Sequence, residues 1–217
     1  MTEVTLIGMG ASAATLTQEG YAALRAARRV AGARRLLDAL PPAVTADRVP
    51  AVRCADVLAA LQGAEGPVAA LYSGDTGFYS GADGLVELLR RQGIPFRVLP
   101  GLSSVQLLAA RLGRPWQDWR LVSAHGVPCD PVQAVCGGRP VLFLTGTGEG
   151  SPRALCARLA AAGLASLPVT VGENLACPGE KITQGTAGQL AETAFGPLAP
   201  RFHSSVVACS YRHRTKT

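Results

Sequence analysis

Aromatic residues make up only 5% of the 217-residue chain, and its other scarcities narrow the chemistry further. No apolar run approaches the roughly 20 residues of a membrane helix, and the amino terminus carries no basic-then-apolar leader. These absences predict a soluble, cytoplasmic chain with no membrane partner. The six cysteines, Cys54, Cys129, Cys136, Cys156, Cys177 and Cys209, include no C-x-x-C pair, so they read as small hydrophobes rather than a disulfide framework or a zinc site. With no H-E-x-x-H or other ligand cluster, no metal is expected. A G-x-x-x-x-G-K-[ST] loop is missing, which disfavours nucleoside triphosphate hydrolysis. A G-x-S-x-G elbow is missing too, and His125, His203 and His213 leave a hydrolase triad few choices of base. Scarce aromatics also remove the stacking platform of a nucleic-acid binder.

Charge and glycine are what remain. The net charge of +6 fits an anionic partner such as a polycarboxylate, although an arginine-favouring composition produces the same balance. The 25 glycines recur where apolar runs end. The run Val68 to Leu71 reads as a buried strand. It delivers Ser73-Gly74-Asp75-Thr76-Gly77 before a helix from Asp83 to Arg91. Val4 to Ile7 runs into Gly8-Met9-Gly10-Ala11-Ser12, with a possible Thr15-to-Gln18 capping box after it. Ile94 to Leu99 ends in Pro100-Gly101-Leu102-Ser103-Ser104 and a helix to Leu112. Beyond Pro115 and Trp116 the alternation resumes. Arg120 to Ala124 ends at His125-Gly126, Pro140 to Leu144 at Thr145-Gly146-Thr147-Gly148, and Leu167 to Val171 at Gly172-Glu173-Asn174-Leu175. Ser151 with Pro152 opens one helix, Thr186 with Gln189 another running to about Phe195, and Ser205 to Ser210 reads as a last strand before a basic tail. The pattern predicts two α/β domains, 1–113 and 119–217, with a linker at about 114–118.

Glycine turns at strand ends are where open α/β sheets bind ligands. The first turn matches G-x-G-x-x-A, but a dinucleotide site needs an acid about 20 residues on, at the end of the second strand. The first acid beyond the segment Arg29 to Arg35 is Asp38, which marks that reading down. What is left is a group transfer in which a cofactor carries the reactive atom.

Four segments carry a resemblance. Leu6-Ile7-Gly8-Met9-Gly10, Tyr72-Ser73-Gly74-Asp75-Thr76-Gly77-Phe78-Tyr79, Leu99-Pro100-Gly101-Leu102-Ser103-Ser104-Val105-Gln106, and Gly172-Glu173-Asn174-Leu175 with Gly185-Thr186 together resemble the tetrapyrrole (corrin/porphyrin) methylase family. The similarity runs in order along essentially the whole chain. Ser103 to Gln106, the helix end through Gly113 and Trp116, and Ser123-Ala124-His125-Gly126 point to the branch that methylates ring carbon C5 of a corrin precursor in cobalamin biosynthesis.

The resemblance implies a two-domain fold of the class III S-adenosylmethionine methyltransferases, a cofactor cleft between the domains, and a homodimer. It puts Gly8 and Ala11 in the first cofactor loop. Ser73, Gly74, Asp75, Thr76, Leu102, Ser103 and Ser104 would line the cofactor, and Leu144, Thr145, Asn174 and Leu175 would close the adenosine side, with Gly185 and Thr186 nearby. Asp75 and His125 are candidate proton handlers, and Tyr79 could hydrogen-bond the substrate. Against each stands a structural alternative: a turn cap, a hydrogen-bonded histidine, a core tyrosine. Arg53, Arg111 and Arg114 are candidates for binding the carboxylates of the tetrapyrrole. A C15-methylating and decarboxylating partner, separate or fused, is also implied. The first loop departs from the family's G-x-G-P-G by losing the proline and one glycine, which predicts a looser loop there. The turns alone leave open another ring position or acceptor of the same fold, or a non-catalytic nucleotide-binding module.

Overall fold

The computed structural model describes residues 3–196 and 206–209. The chain divides into two compact units, Met1–Ser103 and Ser104–Thr217, so the division falls before the helix that ends at Leu112 rather than after it. Residues Ser205 and Ser210, His203, His213 and the basic tail lie outside the described residues.

In the first unit the strands are β1 (Val4–Gly8), β2 (Arg29–Gly32), β3 (Asp47–Pro50), β4 (Val68–Tyr72) and β5 (Phe96–Leu99). Between them run α1 (Gln18–Ala26), α2 (Arg34–Asp38), α3 (Cys54–Leu61) and α4 (Ala82–Arg91). The sheet order is β3-β2-β4-β1-β5, every pairing parallel. β1 is buried along its whole length, as expected for a strand with neighbours on both sides and helices on both faces. Val4 and Leu6 meet Leu58 and Leu61 of α3 and Leu85 and Leu89 of α4 in one core.

β3 escapes a reading from hydrophobic pattern because it is an edge strand of mostly exposed residues, where Pro50 is tolerated. It is held by the Arg29–Asp47 ion pair at 2.9 Å and by Arg48, which donates to the carbonyls of Leu37 and Val44. The cap of α1 also differs from expectation. Thr17 accepts from the Gly20 amide at 3.0 Å, while Thr15 turns back onto Ser12.

The second unit contains α5 (Ser104–Leu112), β6 (Arg120–Ser123), α6 (Pro131–Val135), β7 (Val141–Leu144), α7 (Pro152–Leu159), β8 (Pro168–Glu173), β9 (Lys181–Thr186), α8 (Ala187–Ala191) and β10 (Val206–Cys209). Its sheet is mixed, in the order β6-β7-β10-β8-β9. Among the described residues only β6 and β7 pair in parallel. Phe143, Leu155, Leu159, Val171 and Val207 centre the core. Burial there pushes the Cys156 thiol up to about 11 and the Cys209 thiol to about 12, the latter also because Cys156 is beside it. α6, with Asp130 as cap and Pro131 at its first position, and the polar edge strand β9 are additions to the sequence pattern. The reciprocal Thr186–Gln189 cap is present, but α8 stops at Ala191.

Ser151 caps α7 by accepting from the Ala154 amide at 3.3 Å, with Pro152 at the first helical position. Ser151→Ala is expected to cost about 1 kcal/mol, read as a lower urea midpoint with unchanged slope; an unmoved midpoint would show that the cap carries no stability.

Candidate functional site

The turns after β4, β1 and β5 leave adjacent parallel strands, so all three open at one sheet edge. The Met9 amide donates to the Tyr72 carbonyl at 2.8 Å. Gly10 and Gly74 exchange both backbone hydrogen bonds, at 3.1 and 2.9 Å. A Cβ on Gly8 would lie 2.6 Å from Gly101 N and 2.7 Å from the Gly74 oxygen, and one on Gly101 would collide with the same oxygen. Backbone meets backbone here, and no other residue type fits. Gly74 itself is different. Its φ is +67°, and a Cβ there would meet nothing within 4 Å. The loop is packed behind Gly74 and open in front of it.

Where sequence predicts a loose first loop, the structure ties it down. The Ser12 amide donates to Thr15 Oγ1 at 3.0 Å, and that hydroxyl donates back to the Ser12 carbonyl at 2.8 Å. Asp75 is placed as a tie between turns: its Oδ1 accepts from the Gly101 amide at 3.4 Å. Thr76 is buried and donates to the Leu99 carbonyl at 3.4 Å. Ser73 and Leu102 are exposed at this edge, Ala11 is half-buried, and Ser103 is buried. Ser104 is the buried first residue of α5. Tyr79 is not a core residue. It stands 56% exposed at φ 47°, edge-on to Phe78 at 5.0 Å, beside a cavity of about 300 Å³ shared with Val86 and Val98.

In the second unit the ends of β6, β7 and β8 lie at one edge of the sheet, because β10 runs antiparallel to both β7 and β8. His125 leaves β6 there. Its Nδ1 lies 3.0 Å from the Thr145 carbonyl, which can only accept. The neutral ring therefore carries its proton on Nδ1 and presents Nε2 as the basic nitrogen. Leu144 ends β7, Thr145 is buried beyond it, Asn174 follows β8 at φ 53°, and Leu175 is buried. Gly185 and Thr186 are not brought to this edge. Thr186 pairs with Pro168, at the opposite end of β8, and its side chain caps α8.

Of the three arginines, Arg111 is already engaged. It grips Glu180 bidentately at 2.6 and 3.2 Å, and Glu180 also accepts from the Ala176 amide at 2.6 Å. This clamp spans a turn in which Asn174 and Ala176 both hold positive φ, a conformation that persists only when neighbours over-determine it. Glu180, invisible as a site residue in the sequence, thus helps hold the Asn174–Leu175 turn, beside the Cys177 amide bond to the Asn174 carbonyl. Its only local signal is a carboxylate just after Pro178-Gly179. Arg53 is largely exposed, 3.9 Å from Asp56, and Arg114 is exposed just after α5.

Among the described residues no cluster of three or more His, Cys, Asp or Glu could hold a metal, and no helix is long and apolar enough to cross a membrane. Chemically, then, the chain offers a glycine cradle, an oriented imidazole and hydrogen-bonding loops, which suits binding and orienting a reactive cofactor.

Comparison with known proteins agrees. The model of the tetrapyrrole (corrin/porphyrin) methylases matches residues 3–191. A precorrin-6Y C(5,15)-methyltransferase [decarboxylating] of Sinorhizobium is 35% identical over 90% of the chain, which spans 48% of that relative's length. A cobalt-precorrin-7 C(5)-methyltransferase of Salmonella typhimurium is 32% identical over 82% of the chain and 88% of the relative. Among solved structures, uroporphyrin-III C-methyl transferase from Thermus thermophilus complexed with S-adenyl homocysteine superposes with a TM-score of 0.72 at 22% identity, over 95% of this chain and 92% of that one.

Hydrogen bonds from Arg111, then that from Ala176, hold the Glu180 carboxyl below its ordinary value of 4.5. Its folded form therefore contributes stability above the unfolded value and loses it as pH falls through the folded one. Glu180→Gln is expected to lower the denaturation midpoint at pH 7, with the gap to wild type closing below pH 4.5. A pH-independent gap would assign the clamp no charge component. Gly8→Ala is expected to cost about 1–3 kcal/mol by forcing the turns apart; a midpoint equal to wild type in the same titration would contradict the close-packed arrangement.

Proposed function

This chain belongs to the tetrapyrrole (corrin/porphyrin) methylase family, and from that premise we propose that it transfers a methyl group from S-adenosylmethionine to ring carbon C5 of a corrin precursor in cobalamin biosynthesis. The names of its curated relatives support the ring position. The observation that carries the cofactor assignment is the cradle at Gly74, where backbone is packed on one side and a Cβ would enter open space on the other.

When bound, S-adenosylmethionine supplies an electrophilic sulfonium methyl. The residues of this chain then have three tasks. Gly8, Ala11, Ser73 to Thr76, Leu102, Ser103 and Ser104 hold the cofactor, as do Leu144, Thr145, Asn174 and Leu175; Gly185 and Thr186 act only through the cap of α8. Orientation by these loops lowers the barrier, by on the order of 7–11 kcal/mol for well-aligned groups. His125 Nε2 accepts the proton lost from the ring carbon after methylation, its tautomer set by the Thr145 carbonyl. Asp75, already bonded to Gly101, keeps the loop in place and leaves its second oxygen for the cofactor. Tyr79, exposed beside its cavity, hydrogen-bonds the substrate.

Arg53 and Arg114 recruit the carboxylates of the tetrapyrrole. The C15 methylation and decarboxylation named for the longer relative belong to a further unit, fused or separate, and the enzyme works in the cytoplasm as a homodimer.

Calorimetry with S-adenosylmethionine tests the cofactor assignment. Gly74→Ala is expected to weaken binding at least about tenfold while costing about 1–2 kcal/mol of stability, the price of a left-handed non-glycine residue; undiminished binding, or tight NAD binding without S-adenosylmethionine binding, would sink it. A methyl-transfer assay on the corrin precursor tests the chemistry. His125→Ala is expected to lower kcat by about 10²–10⁴ with cofactor affinity unchanged, and an unaltered kcat would remove His125 from the mechanism.

A further inference from the structure

Between the turns after β6 and β7 lies a cavity of about 500 Å³. It is lined by Gly126, Val127 and Pro128 after β6, by Thr147 and Gly150 after β7, and by Arg158 of α7. The two turns approach closely because two residues lack side chains. A Cβ on Gly146 would sit 3.1 Å from the Ala124 oxygen, and one on Gly150 would collide with it. Parallel neighbours such as β6 and β7 present their carboxyl ends together, the usual place for a ligand in an α/β sheet.

Arg158 is the cation on this cavity, and it is half-buried. Its Nη1 donates to the Cys129 carbonyl at 2.9 Å, which anchors the guanidinium. Nε and Nη2 have no partner among the described residues. Other arginines of this unit are spent on protein groups: Arg111 on Glu180, Arg153 on the Ala191 carbonyl and Glu192, Arg120 on the Ala134 carbonyl. An anchored guanidinium with donors to spare suits a carboxylate, whose two oxygens match its fork. Val127, 53% exposed, and Pro128 offer apolar surface for the methylenes of an acidic arm. Glu149 stands exposed at the cavity as an opposing charge.

We propose that this cavity receives one carboxylate arm of the tetrapyrrole, paired with Arg158, so that the ring is positioned against His125 on the same loop. The proposal rests on the methyl-transfer reading above. Arg158 is a substrate-binding residue in it, and Glu149 weakens the grip by repulsion.

Steady-state methyl transfer on the full chain, with the corrin precursor varied and S-adenosylmethionine saturating, tests this. Arg158→Gln is expected to raise KM for the tetrapyrrole roughly tenfold, the worth of a charge-assisted hydrogen bond, with kcat and calorimetric S-adenosylmethionine affinity within about twofold of wild type. Arg158→Lys, which keeps the charge and a donor toward Cys129, should recover part of the loss. Glu149→Gln should lower KM, and the difference between wild type and Arg158→Gln should shrink as salt is raised. An unchanged KM in Arg158→Gln, with wild type turning over, overturns the proposal and leaves the methyltransferase assignment standing. So does a loss of cofactor affinity equal to the loss of substrate affinity in Arg158→Gln that Arg158→Lys shares, since the side chain would then have no role specific to the tetrapyrrole. A wild-type chain that binds S-adenosylmethionine yet methylates no tetrapyrrole overturns both.

Discussion

The first unit depends on the contact of three backbones, at Gly8, Gly74 and Gly101. The interior strand β1 and its two neighbours deliver their turns to one place, and the turns fit only because Gly8 and Gly101 carry no side chain where they meet the Gly74 carbonyl. Paired hydrogen bonds between Gly10 and Gly74 satisfy the polar groups that this approach buries. The consequence is a rigid floor with an open front, which a ligand can meet without rearranging the loop. Side chains that looked chemical in this stretch have become part of that floor, Asp75 through the Gly101 amide and Thr76 through the Leu99 carbonyl.

The second unit reaches a similar end by two devices. Between β6 and β7, glycines again let loops close on each other, at Gly146 and Gly150 against the Ala124 carbonyl. After β8 the turn contains Asn174 and Ala176 at positive φ. Such residues cost on the order of 1–3 kcal/mol each, and the Arg111–Glu180 pair with its bond to the Ala176 amide is one of the constraints on the turn, beside the Cys177 amide bond to the Asn174 carbonyl. An arginine expected to meet substrate therefore serves the Asn174–Leu175 turn, while Arg158, unremarkable in a chain rich in arginine, is anchored in a cavity.

Much of the fold was legible because its central strands are continuous apolar runs ending in glycine. β1, β4 and β7 all announce themselves this way, and so does the Ser151-Pro152 start of α7. The edge strands β3 and β9 were not legible, since a strand paired on one side and exposed to solvent needs no apolar pattern. The cap of α1 was misplaced by two residues because Thr15 and Thr17 are chemically alike, and only the path of the chain sends Thr15 back to Ser12. The family resemblance puts Gly185 and Thr186 near the adenosine side of the site. The antiparallel run of β9 carries it to the far end of β8.

The amino-acid sequence by itself determined the class of structure, two α/β units with glycine turns at strand ends, and through its motifs the family. Those features are local: apolar runs, turn residues and short fixed spacings decide them whatever the rest of the chain does. Tertiary structure decided which turns share an edge, which glycines are crowded and which face open space, and which charged side chains are spent on the protein. These depend on strand order and direction, and on contacts such as Arg111–Glu180 between residues 69 apart in the chain, for which no local spacing carries a signal.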